Sequence, residues 1–320
     1  MANHRVLITD HPWPGIDIET QLLKPYGVEI VDAPDGDETT LMRLATNVDA
    51  IATCWAKVTS KVIEAAGNCR IICRMGIGLD NIHIPTATSK GILVTNIPDY
   101  CVEEVADHAL GLLLAATRNI AFFHHRTKNG EYNLKAGPTM HRLRGRTLGL
   151  LGFGRIGQEL YTRATACGLN VIASTPSQND YGTGCKMVGL DELLETSDYL
   201  SLHSPLTEEN KHVLNAESLA KTKPGVVIIN TARGGLIDHA ALWDAIQSGQ
   251  VAGAGLDVFE PEPPNLDDPL FHDERVIATP HAAFVSEESL VEMRTRVAHQ
   301  IAAALVGEVP ENVRNPEVLQ

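Results

Sequence analysis

The chain has 320 residues, 44% of them hydrophobic and 21% charged, with a formal net charge of -14. That composition supplies enough apolar material for two cored domains and too little charge for a disordered chain. An acidic balance without any Lys/Arg run excludes nucleic acid and anionic membranes as partners, and no stretch approaches the ~18 apolar residues of a membrane span.

The start, Met1 to Val6, carries no apolar signal region, so a secretory leader is not expected. Short β-branched runs then recur between amphipathic stretches, at 6–9, 28–31, 50–53, 71–73 and 92–95. This alternation predicts a parallel sheet with helices on both faces. The six cysteines, Cys54, Cys69, Cys73, Cys101, Cys167 and Cys185, form no CxxC pair, and several sit in apolar runs. They read as reduced thiols of a cytoplasmic protein.

A helix is predicted over 102–121, where Val102, Val105, Ala109, Leu112, Leu113 and Ala116 fall at helical spacing behind Glu103 and Glu104. The following stretch, 129–144, contains Gly130, Gly137 and Pro138 without periodicity, and reads as an exposed excursion suited to a dimer arm. His124, His125 and His141 nearby have no carboxylate or cysteine at ligand spacing, so no metal is expected. A second series of strands follows at 147–152, 170–173, 199–203, 226–230, 253–258 and 276–278, and a last amphipathic helix at 286–305. The expected fold is α/β, with two doubly wound parallel-sheet domains.

Within the second series, Gly152-Phe153-Gly154-Arg155-Ile156-Gly157 fits G-x-G-x-x-G between a strand pattern and a helical one. The first glycine permits the turn, the second lets a pyrophosphate approach the backbone, and the third lets helix and strand pack closely. About 20 residues on, where an acidic residue usually holds the adenosine ribose, the next strand ends in Ser174-Thr175-Pro176-Ser177. The missing carboxylate removes the barrier to a 2'-phosphate, yet no Arg or Lys replaces it. NAD(H) and NADP(H) both remain open.

Three later segments supply a cation, a carboxylate and an imidazole: Arg233 in Asn230-Thr231-Ala232-Arg233-Gly234-Gly235, Glu262 between Pro261 and Pro263, and His281 after Thr279-Pro280. These are the parts needed to hold an anionic carbonyl compound and move a proton onto its oxygen.

With the turn Arg74-Met75-Gly76-Ile77-Gly78-Leu79-Asp80-Asn81, these motifs resemble, in order and over nearly the whole length, the D-isomer-specific 2-hydroxyacid dehydrogenases. Segments 53–59, 98–108 and 201–207 are most similar to the branch of the C-terminal-binding-protein corepressors and their bacterial dehydrogenase relatives.

The resemblance implies a Rossmann cofactor domain, 100–283, inserted into a flavodoxin-like substrate domain made of 1–99 and 284–320. It also implies a homodimer and a site in the cleft between the domains. Arg233 would bind and polarise a small 2-oxo acid, His281 would be the general acid/base, and Glu262 would raise the pKa of the histidine and orient it. Glu260 lies two residues earlier, but the alignment selects Glu262, and glutamine at that place would have pointed to formate. His203, Ser204, Pro205, Thr231, Ala232 and Asp257 match positions around the nicotinamide and ribose. Gly76, Ile77 and Gly78 would offer backbone N–H groups to the substrate carboxylate, beside Trp55.

The expected activity is hydride transfer between the nicotinamide of NAD(P) and C2 of a small D-2-hydroxyacid or its 2-oxo partner. Two other readings are a dinucleotide-sensing corepressor or scaffold, and a short-type phosphoglycerate dehydrogenase. The absence of a long polar extension favours an enzyme over the corepressor.

Overall fold

A computed structural model describes residues 4–320; residues 1–3, the head of the start read above for a signal region, lie outside the described part. The chain divides into two compact units. One comprises the stretch up to Tyr100 together with Ser286–Gln320, and the other is the inserted Cys101–Val285.

The first unit holds five strands, β1 (His4–Ile8), β2 (Val28–Asp32), β3 (Ala50–Thr53), β4 (Ile71–Arg74) and β5 (Leu93–Thr95). They pair in parallel in the order β2-β1-β3-β4-β5, the flavodoxin-like arrangement. Every residue of β3 and β4 is buried, as expected of central strands covered on both faces.

The helix Glu287–Leu305 completes this unit from the far end of the chain. Ser286 caps it in a capping box with Ser289, and Glu287 and Glu288 suit its dipole. Its Arg294 is 7% exposed and reaches Glu19, 1% exposed, through Nε–Oε1 at 2.8 Å and Nη2–Oε2 at 2.7 Å. Removing either partner would strand a buried charge, at about 3–5 kcal/mol. Gln300 accepts from the Thr95 hydroxyl at 2.7 Å and donates to the Asn96 carbonyl at 3.0 Å. Asn315 serves the open edge of β5 by accepting from Val94 N at 2.8 Å and donating to Ile92 O at 2.8 Å.

The second unit holds β6 (Thr147–Leu151), β7 (Asn170–Ser174), β8 (Lys186–Met187), β9 (Tyr199–Leu202), β10 (Val226–Asn230), β11 (Val251–Leu256) and β12 (Val276–Ala278). All pair in parallel in the order β12-β11-β10-β9-β6-β7-β8, the Rossmann order with one more strand. Alternate residues of β10 serve two cores. Val226 and Ile228 join Leu200, Leu242 and Leu256, while Val227 and Ile229 join Leu112, Leu148 and Phe153.

The helix predicted over 102–121 stops earlier. It spans Val102–Thr117, and a second helix, Ile120–Lys128, starts after Asn119 with φ 51°. A left-handed residue ends the hydrogen-bond ladder, and asparagine accepts that conformation at little cost. The excursion carries one short 3-10 turn, Leu134–Ala136. The two-residue β8 was not predicted, being too short to show a period.

Candidate active site

β6 ends at Leu151, and Gly152 turns the chain with φ 101°. A Cβ on Gly152 would lie 2.5 Å from the His203 carbonyl carbon, so the chain leaving β9 can pass only a glycine here. Gly154 is the N-cap of the helix Arg155–Ala166, which Ile156 and Gly157 continue. A Cβ on Gly154 would meet nothing within 4 Å, and no side chain caps the helix. Free first-turn donors and the positive end of the dipole therefore face open space, which suits a phosphate group.

Ser174 closes β7 and is buried, while the Thr175 and Ser177 hydroxyls lie 3.2 Å apart at the strand tip. The Thr231 hydroxyl, just past β10 and before Ala232, is buried with no hydrogen-bond partner among the described residues. His203 Nε2 meets the Ser201 hydroxyl at 2.8 Å, and burial pushes this imidazole down to about 4, so it is neutral near pH 7. Ser204 and Pro205 follow it. A buried orphan hydroxyl, an uncapped helix start and a glycine open to solvent are what a dinucleotide would complete, and the residues fit such a group.

Arg233 leaves the end of β10 in a turn framed by Asn230. The Asn230 side chain accepts from Ala232 N at 3.0 Å and donates to Arg233 O at 2.9 Å. Gly234 then runs so close to Phe259 that a Cβ would sit 2.0 Å from the Phe259 carbonyl carbon. This contact places the Arg233 turn directly beside the segment that carries Glu262.

Glu262 Oε1 accepts from Phe259 N at 2.8 Å, and Oε2 lies 2.8 Å from His281 Nδ1. Burial would raise the Glu262 carboxyl, but the hydrogen bond and charge of His281, the Phe259 N–H and the charge of Arg233 together hold it below its ordinary range. An ionised carboxylate only accepts, so Nδ1 of His281 carries the proton in this pair. The His281 ring also packs edge-on against Phe284, with centroids 6.0 Å apart.

His281 has φ 51°, a strained conformation for a histidine, and the surroundings enforce it. Asp257 is fully buried. Its carboxylate accepts from the Thr279 hydroxyl at 2.6 Å, Ala282 N at 2.9 Å and Ala283 N at 2.9 Å, while its carbonyl accepts from His281 N at 2.8 Å. Expected as a nicotinamide neighbour, Asp257 thus has both carboxylate oxygens engaged around the His281 turn. Glu260 faces Lys211 at 3.0 Å and His212 at 3.5 Å.

In the first unit, Gly76 O accepts from Ile97 N at 3.1 Å and Ile77 O from Asn96 Nδ2 at 2.6 Å. The loop is held by its acceptors, and among the described residues no hydrogen bond uses the N–H groups of Gly76, Ile77 or Gly78. Sequence reasoning passed over Arg74. Its guanidinium is buried behind this loop, with Nη1 donating to Met75 O and lying 2.6 Å from where a Gly76 Cβ would be. A cation behind free N–H groups reinforces an anion site. Trp55, after β3, is 39% exposed.

The profile of the D-isomer specific 2-hydroxyacid dehydrogenase family, NAD binding domain, matches residues 110–283. A hydroxypyruvate reductase of Thermotoga maritima is 44% identical over 293 residues, covering 90% of this chain and 94% of that protein. A D-3-phosphoglycerate dehydrogenase of Methanocaldococcus jannaschii is 39% identical across 97% of this chain, which spans 59% of that longer protein. The structure of an NADPH-dependent glyoxylate/hydroxypyruvate reductase from Sinorhizobium meliloti, in complex with NADP and malonate, superposes with a TM-score of 0.87. The identity is 31%, over 98% of this chain and 97% of that one. No helix among the described residues is long and apolar enough to cross a membrane.

Proposed function

From the premise that the chain belongs to the D-isomer specific 2-hydroxyacid dehydrogenase family, we propose that it works as a reductase of short 2-oxo acids through Arg233, His281 and Glu262. It is an NAD(P)-dependent oxidoreductase acting on the CH–OH group of small hydroxy acids. The observation that carries the residue assignment is the 2.8 Å pair between His281 Nδ1 and Glu262, a carboxylate placed to orient the imidazole and stabilise its protonated form.

When bound, the nicotinamide supplies or accepts the hydride. The chain's own residues bind and orient the acid and handle the proton. Arg233 presents a rigid fork of donors to the 2-oxo acid carboxylate and keto oxygen. His281 gives a proton to that oxygen in reduction and takes it back in oxidation, with Glu262 stabilising the imidazolium that forms. The free N–H groups of Gly76 to Gly78 hold the carboxylate, and Trp55 lines the side-chain pocket. Thr231, Ala232, His203, Ser204, Pro205 and the loop Gly152 to Gly157 hold the dinucleotide, with Ser174 and Thr175 on its ribose. On this reading 1–99 with 284–320 is the substrate domain and 100–283 the cofactor domain.

Hydroxypyruvate and glyoxylate are the favoured substrates, given the 44% identity to a hydroxypyruvate reductase. We place the protein in the cytoplasm, supported by six free thiols, three of which, at Cys54, Cys69 and Cys73, burial pushes up to about 12. We also read it as a homodimer. Tyr132 and Leu134, 97% and 81% exposed, stand on the excursion, and a cavity of about 500 Å³ lined by Phe122, His141, Arg146, Lys223 and Arg275 lies beside it.

The deciding experiment is a panel of glyoxylate, hydroxypyruvate, pyruvate and phosphohydroxypyruvate, run with NADH and NADPH. Hydroxypyruvate or glyoxylate should turn over fastest. Preference for phosphohydroxypyruvate would make the protein a phosphoglycerate dehydrogenase, and cofactor binding without any turnover would support the corepressor reading.

A further inference from the structure

We propose that Asp10 is a positioning residue that fixes the Trp55 loop and thereby sets which 2-oxo acid side chains the protein accepts. This inference rests on the assignment of Trp55 to the substrate pocket.

β1 and β3 are neighbours, in register from Val6 opposite Ala50 to Ile8 opposite Ala52. Thr9 N continues the ladder to Ala52 O at 3.0 Å, so the next residue, Asp10, arrives opposite Cys54 just where β3 ends. A strand end leaves consecutive N–H groups without a sheet partner. Asp10 takes two of them, Oδ1 accepting from Cys54 N at 3.0 Å and Oδ2 from Trp55 N at 2.7 Å. The Thr9 hydroxyl, donating to Oδ1 at 2.7 Å, steadies the carboxylate. Bonds to an ionised acceptor are about twice as strong as neutral ones, and two on adjacent residues fix direction as well as distance.

The carbonyl side of the same loop is held by Asn81, whose Nδ2 donates to Ala56 O at 2.9 Å and Cys54 O at 3.3 Å, and by the Thr53 hydroxyl donating to Ala56 O at 2.9 Å. Asp10 and Asn81 therefore clamp residues 54 to 56 from opposite sides, and the partly exposed indole of Trp55 projects from the clamp. The sheet register persists without Asp10, since its carboxylate bonds begin past the last strand pair. Losing it frees the N–H side of the loop and lets Trp55 pivot on Asn81.

The test compares wild type, Asp10→Asn, Trp55→Ala and the double variant in steady-state reduction of glyoxylate, which has no side chain, and hydroxypyruvate, which has one. Asp10→Asn should raise KM for hydroxypyruvate relative to glyoxylate by about tenfold or more, in line with the cost of small misplacements in a binding wall, with dinucleotide affinity by fluorescence titration retained. In the Trp55→Ala background the same substitution should leave that ratio unmoved, because it acts through the indole. An unchanged ratio in Asp10→Asn, or a shift of equal size without Trp55, overturns the proposal. Should Asp10→Asn fail to fold, Asn81→Ala loosens the same loop from the other side and must move the same ratio; a constant ratio there overturns it equally. Wild type that reduces neither acid removes the functional reading and this inference with it, whereas wild-type turnover with an unmoved ratio removes the Asp10 assignment alone.

Discussion

His108, on the helix Val102–Thr117, places its Nε2 3.0 Å from the Thr279 hydroxyl, which in turn donates to Asp257 at 2.6 Å. The turn carrying His281 is thus tied to the long helix as well as to the end of β11. A proton-transferring group that must meet its substrate within a few tenths of an ångström gains from being anchored on two elements.

Glu262→Gln keeps the shape of the pair and removes its charge. The kcat/KM for reduction should fall by about 10- to 100-fold, because a neutral amide no longer stabilises the imidazolium that forms during proton transfer, while dinucleotide affinity is retained. Steady-state kinetics beside a fluorescence titration of the dinucleotide measure this, and an unchanged kcat/KM would contradict the pairing.

Gly234→Ala drives a methyl group into the Phe259 backbone, where 2.0 Å separates the would-be Cβ from the carbonyl carbon. Phe259 must shift, and its N–H is the donor that holds Glu262. We expect a stability loss of about 1–3 kcal/mol in urea unfolding, typical of overpacking, accompanied by a fall in kcat that exceeds any change in cofactor affinity.

His203 bears on stability at acid pH. Its folded value, about 4, lies below the unfolded 6.5, so the unfolded chain binds more protons between them and stability falls as pH drops through that window. The full effect approaches ~3 kcal/mol at the acid end. Denaturant titrations at pH 8, 6 and 4.5 should show His203→Gln losing less stability on acidification than wild type; parallel losses would refute the assignment.

Thr175→Asp places a carboxylate at the tip of β7, where the Thr175 and Ser177 hydroxyls now face each other. The ratio of NADPH to NADH efficiency should drop by about tenfold or more, as repulsion acts on a 2'-phosphate only. An unchanged ratio would mean that residue 175 does not reach the ribose.

Both sheets were legible because buried parallel strands are near-continuous β-branched runs, and the glycine loop because its spacing is tied to a strand–turn–helix context. Arg233, Glu262 and His281 could be singled out as candidates through their neighbours: the pair Gly234-Gly235, the prolines around Glu262, and Thr279-Pro280. The left-handed break at Asn119 left no mark, because the apolar stripe of the preceding helix runs up to it. Nor did the sequence reveal that the Asp257 carboxylate supports the His281 turn, since its partners are 22 to 26 residues away and are two backbone N–H groups and a lone hydroxyl. Asp10 was silent for the same reason, its partners lying 44 and 45 residues on.

The helix Glu287–Leu305 also orders events during synthesis. β1 to β5 leave the ribosome before the inserted unit, but Glu19, Thr95 and Val94 find Arg294, Gln300 and Asn315 only after that unit has been made. The inserted unit, Cys101–Val285, has all its strands by then and can fold while the first unit still waits with an uncovered face. Translation pausing or truncation before residue 287 should therefore yield a nascent chain that is folded in its middle and chaperone-dependent at its beginning.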